Sequence, residues 1–144
     1  AGPIHRDFYP DQVLVAGQRL TLSDFDLLCD GDPAVDVGNF RGHLIEDSLR
    51  CWRHPSHYAA AEAAFLAEYL HLCPDVSVSS IDIYTLLTLA RHVFLCSQIP
   101  GRCHNISRVL TTCEQFVRAG FVSGGDTRPI SPSWSRPSLT SLIP

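Results

Sequence analysis

Two aspartate-bearing motifs lie close together near the start of this 144-residue chain. The first is His5-Arg6-Asp7-Phe8-Tyr9-Pro10-Asp11-Gln12. The second is Leu22-Ser23-Asp24-Phe25-Asp26, followed by Gly31-Asp32-Pro33-Ala34-Val35-Asp36-Val37-Gly38-Asn39-Phe40. Phosphoryl transfer to a hydroxyl needs groups of this kind. One carboxylate orients the acceptor and receives its proton, and another holds magnesium on the nucleotide phosphates. Asp7 is the candidate base. Asp24 is the candidate metal ligand, and Gln12 can add an amide oxygen, because magnesium takes oxygen donors. Residues 1–36 hold seven Asp, two Arg and no Glu. That density suits a hard cation. Asp also favours turns and helix caps, and Asp32 reads as a cap rather than a ligand.

These residues need elements to position them. Residues 12–16 and 19–23 are short β-like runs separated by Gly17-Gln18, which suits a tight hairpin. Pairing them would draw Asp7, Gln12 and Asp24 toward one edge. Asp32-Pro33 is a helix start, since Asp caps and Pro at the first position loses no needed N–H. The helix is predicted to run to about residue 50 with Val37, Phe40, Leu44 and Ile45 as its apolar side. Pro55 opens a second helix, ended before Pro74, with Tyr58, Ala61, Phe65, Leu66, Tyr69 and Leu72 as its stripe. Ser79 or Ser80 would cap a third, running to about residue 98. It is apolar over most of its circumference and therefore expected to be central. Asn105 would cap a fourth, with Ile106, Val109, Leu110, Cys113, Phe116 and Val117 as its stripe and Gly120 as its stop. The expected class is α+β, mostly helical, with one domain over residues 1–122. Residues 123–144 are rich in Ser and Pro, contain an isolated Trp134, and read as a disordered tail.

Composition narrows the function classes. A net charge of −4 argues against a nucleic-acid partner. No unbroken apolar run of about 18 residues is present, so no membrane partner is expected, and no signal-like segment opens the chain. The six Cys form no CxxC pair. Cys51-x-x-His54-x-x-His57 matches no common zinc spacing. A reduced, cytoplasmic protein is the simplest reading. His43, His71 and His92 fall on predicted helices and read as surface or core residues. Residues 1–80 carry twelve acids and five Arg, a balance that slightly favours a cationic ligand.

The motifs resemble the aminoglycoside phosphotransferase and choline kinase family, which has the protein-kinase-like fold. His5-x-Asp7 with Gln12 five positions after the Asp resembles the family's catalytic loop. Asp24-Phe25-Asp26 after a hairpin is similar to its metal-binding segment, and residues 31–40 are similar to the stretch that follows. The resemblance covers about residues 4–120, most firmly 4–45. It implies Asp7 as the catalytic base, Asp24 and Gln12 on Mg2+, His5 and Asp36 as loop-ordering residues, and Asp26 as indirect support. It also implies ATP or GTP as co-substrate and a small-molecule hydroxyl compound as acceptor. Gln12 departs from the usual Asn, a longer stem for the same amide oxygen. The family's glycine-rich loop and phosphate-binding Lys have no counterpart here, as only six residues precede Asp7 and the chain contains no Lys and no Met. The expectation is a C-terminal lobe fragment without its N-terminal lobe. Its nucleotide-binding residues are unknown, and alone it would be inactive. A non-catalytic kinase-like interaction module is the alternative.

Overall fold

A computed structural model describes residues 1–122. The tail expected over 123–144, with Trp134, lies outside the described residues. Among the described residues four short strands precede four helices, so the fold is α+β and mostly helical.

The expected hairpin forms from β2 (Val13–Ala16) and β3 (Arg19–Leu22), registered from Val13 opposite Leu22 to Ala16 opposite Arg19. Gly17 turns the chain with φ +62°, a conformation that costs glycine little. A second antiparallel pair was not expected. β1 (Gly2–Ile4) pairs with β4 (Cys29–Gly31), Ile4 opposite Cys29. Three-residue strands are too short to show an alternation in sequence. Their pairing matters, because β1 leads directly into His5 and β4 leads into Asp32.

Helix α1 (Ala34–Trp52) starts where Asp32 Oδ1 accepts the Ala34 N–H at 3.0 Å. It ends two residues later than expected, on a left-handed Arg53 whose N–H reaches the Ser48 carbonyl. Helix α2 (Ala59–Leu72) begins four residues after Pro55, because 54–58 first fold into turns, with the His57 N–H on the His54 carbonyl. Helix α3 (Val78–Gln98) is capped by Ser77, whose Oγ accepts the Ser80 N–H at 3.3 Å, and not by Ser79 or Ser80. Ser77 alone keeps the extended backbone that a cap requires. Helix α4 (Ile106–Val122) continues past Gly120. Asn105 precedes it, but its Nδ2 donates to Glu46 Oε1 and its Oδ1 meets no partner among the described residues, so it does not cap as expected.

Helix α3 is central in one sense only. It packs on α1 and α4 with Ile81, Thr85, Leu89, His92 and Cys96 buried, while Ile83, Leu87 and Phe94 are 57–63% exposed. It is long and apolar enough to cross a membrane by length and composition. Its approach to α1 is set by Gly38 and Gly42. A Cβ on Gly38 would stand 2.5 Å from Tyr84 Cβ, and one on Gly42 2.6 Å from Thr88 Cγ2. That close crossing turns Val37 and Ile45 inward and leaves Phe40 and Leu44 only half-buried. Likewise, Leu66 is the buried member of the α2 stripe and Leu72 is 68% exposed. On α4, Val109, Cys113 and Phe116 are buried, while Leu110 and Val117 face solvent.

The core has two apolar clusters. Ile45, Leu49, Leu89, Val109, Cys113 and Phe116 form one; Ala34, Val37, Leu66 and Ile81 form the other. Arg41, 1% exposed, joins the helices through ion pairs with Asp82 and Glu62 and lies over the Phe116 ring. Breaking such a buried pair on one side costs about 3–5 kcal/mol.

Candidate active site

The loop that carries Asp7 is held by one face of α1. Asp36 Oδ2 accepts the His5 N–H at 2.6 Å, and its Oδ1 accepts the Arg6 N–H at 2.8 Å. Asn39, one turn on, donates Nδ2 to the Phe8 carbonyl at 3.0 Å and accepts from Thr88 Oγ1 at 3.2 Å. The Phe8 ring stacks on Phe40 at 4.9 Å. Positions 36, 39 and 40 share one helical face, so a rigid element grips His5, Arg6 and Phe8, the residues on both sides of Asp7. Arg6 has φ +68° and Asp24 has φ +62°. Left-handed non-glycine residues are uncommon and persist where surrounding bonds hold them.

The second motif is tied to the first. His5 is buried, and its Nε2 donates to the Ser23 carbonyl at 2.7 Å, so the proton sits on Nε2. The ring packs against Phe25 at 5.2 Å. Gln12 closes the short 3-10 turn Pro10–Gln12, and the Ser23 N–H donates to its carbonyl at 3.0 Å. Its buried side chain donates Nε2 to Asp24 Oδ2 at 3.2 Å and accepts the Ser23 hydroxyl on Oε1 at 2.8 Å. The structure thus brings Gln12 and Asp24 into contact. Asp26 stands exposed in the turn after them.

Asp7 lines a cleft of about 610 Å³ between its loop, α1 and α3, with Asp11, His43, Arg91, His92 and Arg102 among the other walls. Gln12 and Asp24 do not line it. Arg91 Nη2 lies 3.9 Å from Asp7 Oδ1, a partly exposed pair of small energetic weight. Burial, then His92 and Arg91, push His43 down to about 3. Burial, then Arg91, Arg102 and Arg50, push His92 down to about 4. Both imidazoles are therefore neutral at pH 7. From sequence both histidines read as surface or core residues, since a His on an apolar helix carries no local signal that it lines a cleft. Asn39 stood inside the second motif without an assigned role.

A magnesium ion would find one carboxylate and one amide here. Gln12 turns its nitrogen toward Asp24. Rotating the amide half a turn puts Oε1 beside Asp24, and the Ser23 hydroxyl can bond to either end. The pair therefore fits an ion that keeps several waters and takes few protein ligands. The remaining Asp residues do not gather around it. Among the described residues no three His, Cys, Asp or Glu side chains converge on a metal position. Asp32 serves as a cap. Cys51, His54 and His57 also stay apart: His57 stacks on Trp52 at 4.0 Å, and His54 Nδ1 bonds Ser56 Oγ. All six cysteines are free.

No family model, curated protein or solved structure matches this chain.

Proposed function

We propose that the protein is a phosphotransferase of the aminoglycoside phosphotransferase and choline kinase type, built on the C-terminal lobe of a protein-kinase-like fold. It transfers the γ-phosphoryl group of ATP or GTP to a hydroxyl of a small molecule. One observation carries the reading: the Asp36 carboxylate and the His5–Ser23 bond lock two motifs, 17 positions apart from Asp7 to Asp24, into one unit that presents Asp7 to a cleft.

Asp7 orients the acceptor hydroxyl and takes its proton as the oxygen bonds to the γ-phosphorus. The bond from that phosphorus to the bridging oxygen breaks, and the nucleoside diphosphate leaves. Asp24, with Gln12 through Oε1, would hold magnesium, which when bound neutralises phosphate charge. Asp36, His5 and Asn39 act through the backbone to keep Asp7 in position. Because these residues include no Lys, the 144-residue chain alone is proposed to bind nucleotide weakly.

A second reading is a non-catalytic interaction module. It draws on the apolar surface of Leu14, Val15, Leu20, Phe25 and Leu28, all exposed beside the second motif. The discriminating experiment uses the protein encoded by the complete gene, with γ-labelled ATP or GTP, magnesium and a panel of hydroxyl compounds. Transfer to one acceptor, abolished by Asp7→Asn with the melting temperature retained, is the expected result. Equal transfer by Asp7→Asn removes Asp7 from the role, and no transfer to any acceptor favours the module.

A further inference from the structure

The cleft beside Asp7 holds two histidines that the proposed transfer leaves without a task. His92 is 3% exposed, and neither of its ring nitrogens meets a hydrogen-bond partner among the described residues. The half-buried His43 leaves its Nε2 unpartnered in the same way. Buried polar atoms of this kind are rare and call for a partner. The two rings meet edge to face at 4.6 Å, and His43 stacks on Tyr9 at 4.6 Å, so each ring is held in place. Both line the cleft.

Burial and the neighbouring Arg91, Arg102 and Arg50 oppose charging of His92. A neutral imidazole presents one N–H and one bare nitrogen. Its ligand must therefore accept one hydrogen bond and donate another. A carboxylate or phosphate only accepts and would leave the bare nitrogen unpaired. An ammonium only donates and would leave the ring N–H unpaired. Hydroxyls do both. Of the acids in these walls, Glu46 and Asp47 are engaged by Arg50, and Asp7 faces Arg91 at 3.9 Å. Tyr9 and Tyr58 add aromatic faces, and the volume is that of a small-molecule site.

We propose that this cleft binds an uncharged polyol or sugar, with His92 and His43 reading its hydroxyls. Only the further claim, that another hydroxyl then lies at Asp7, rests on the phosphotransferase reading.

The test is an NMR titration of the 15N-histidine-labelled protein, as encoded by its complete gene. The probes are myo-inositol, glucose and ribose, against choline, an aminoglycoside and malate. At least one neutral polyol should shift the His92 and His43 ring nitrogens saturably. His92→Phe, which keeps an aromatic ring, should weaken that binding at least about tenfold. His43→Phe gives the same reading if His92→Phe does not fold. The proposal is overturned if no neutral polyol moves these signals, in which case water alone fills the site. Tighter binding of a charged probe, or variants that bind as wild type, overturns it too. Phosphoryl transfer that ignores both histidines sinks this inference and spares the phosphotransferase reading; histidine-dependent polyol binding without transfer does the reverse.

Discussion

Replacing Asp36 tests how the Asp7 loop is held. Its carboxylate accepts two backbone N–H groups, at 2.6 Å from His5 and 2.8 Å from Arg6. Hydrogen bonds to a charged group contribute about 1.5–3 kcal/mol each. The His5 bond deserves the full value because His5 is buried. The Arg6 bond is exposed and contributes less. Asp36→Ala should therefore release about 2–4 kcal/mol of local stability. Asp36→Asn keeps one acceptor oxygen and should lose roughly half of that. Loosening also frees Arg6 from its left-handed backbone, which favours opening further. Amide hydrogen exchange reads this directly. A loss of about 3 kcal/mol is roughly a hundredfold rise in exchange at His5 and Arg6. The Asn variant should show about tenfold. Amides in the middle of α3 should stay protected, since they do not depend on this loop. Unchanged exchange at His5 and Arg6 in Asp36→Ala, or an equal loss in every helix, would refute the clamp.

Gly38→Ala should lower the denaturation midpoint, corresponding to about 1–3 kcal/mol of overpacking against Tyr84 and the Thr85 backbone, even though Ala favours helix by about 1 kcal/mol. A raised or unchanged midpoint in urea would show that α1 and α3 do not cross this closely. The two cleft histidines predict acid sensitivity. Both are held neutral in the folded protein, with pKa values of about 3 and about 4 against an unfolded value of 6.5. The unfolded chain therefore binds more protons below pH 6.5, and stability falls as pH drops from there toward 4. The His92 share is on the order of 3 kcal/mol. Urea melts across that range should show a shallower decline for His92→Gln, and parallel curves for variant and wild type would refute the assignment.

Local chemistry made part of this protein legible. The Gly17-Gln18 break between two β-like runs specified the hairpin, because a left-handed glycine turn needs nothing distant. Asp32-Pro33 specified the start of α1, because capping involves only adjacent residues. Helical periodicity and the Pro positions located four helices to within a few residues. Of the candidate site, the two motifs and their connection through a hairpin could be read, so the contact between Gln12 and Asp24 followed from strand pairing.

Other features depended on groups far apart in sequence. Ile83, Leu87 and Phe94 are as apolar as a core residue, yet face solvent; the choice of buried side came from α1, whose Gly38 and Gly42 admit α3 on one face only. Arg41 reads as an ordinary surface charge until Asp82, Glu62 and Phe116 surround it. The pairing of Ile4 with Cys29 brings the ends of both motifs together, though three residues carry no period to announce it. His43 and His92 gained their burial, their neutrality and their place beside Asp7 only when α1 packed on α3. The sequence by itself determined which residues could do chemistry and the local elements that carry them, since those depend on neighbours along the chain. Tertiary packing decided what surrounds them, because burial and charge environment are set by residues that meet only on folding.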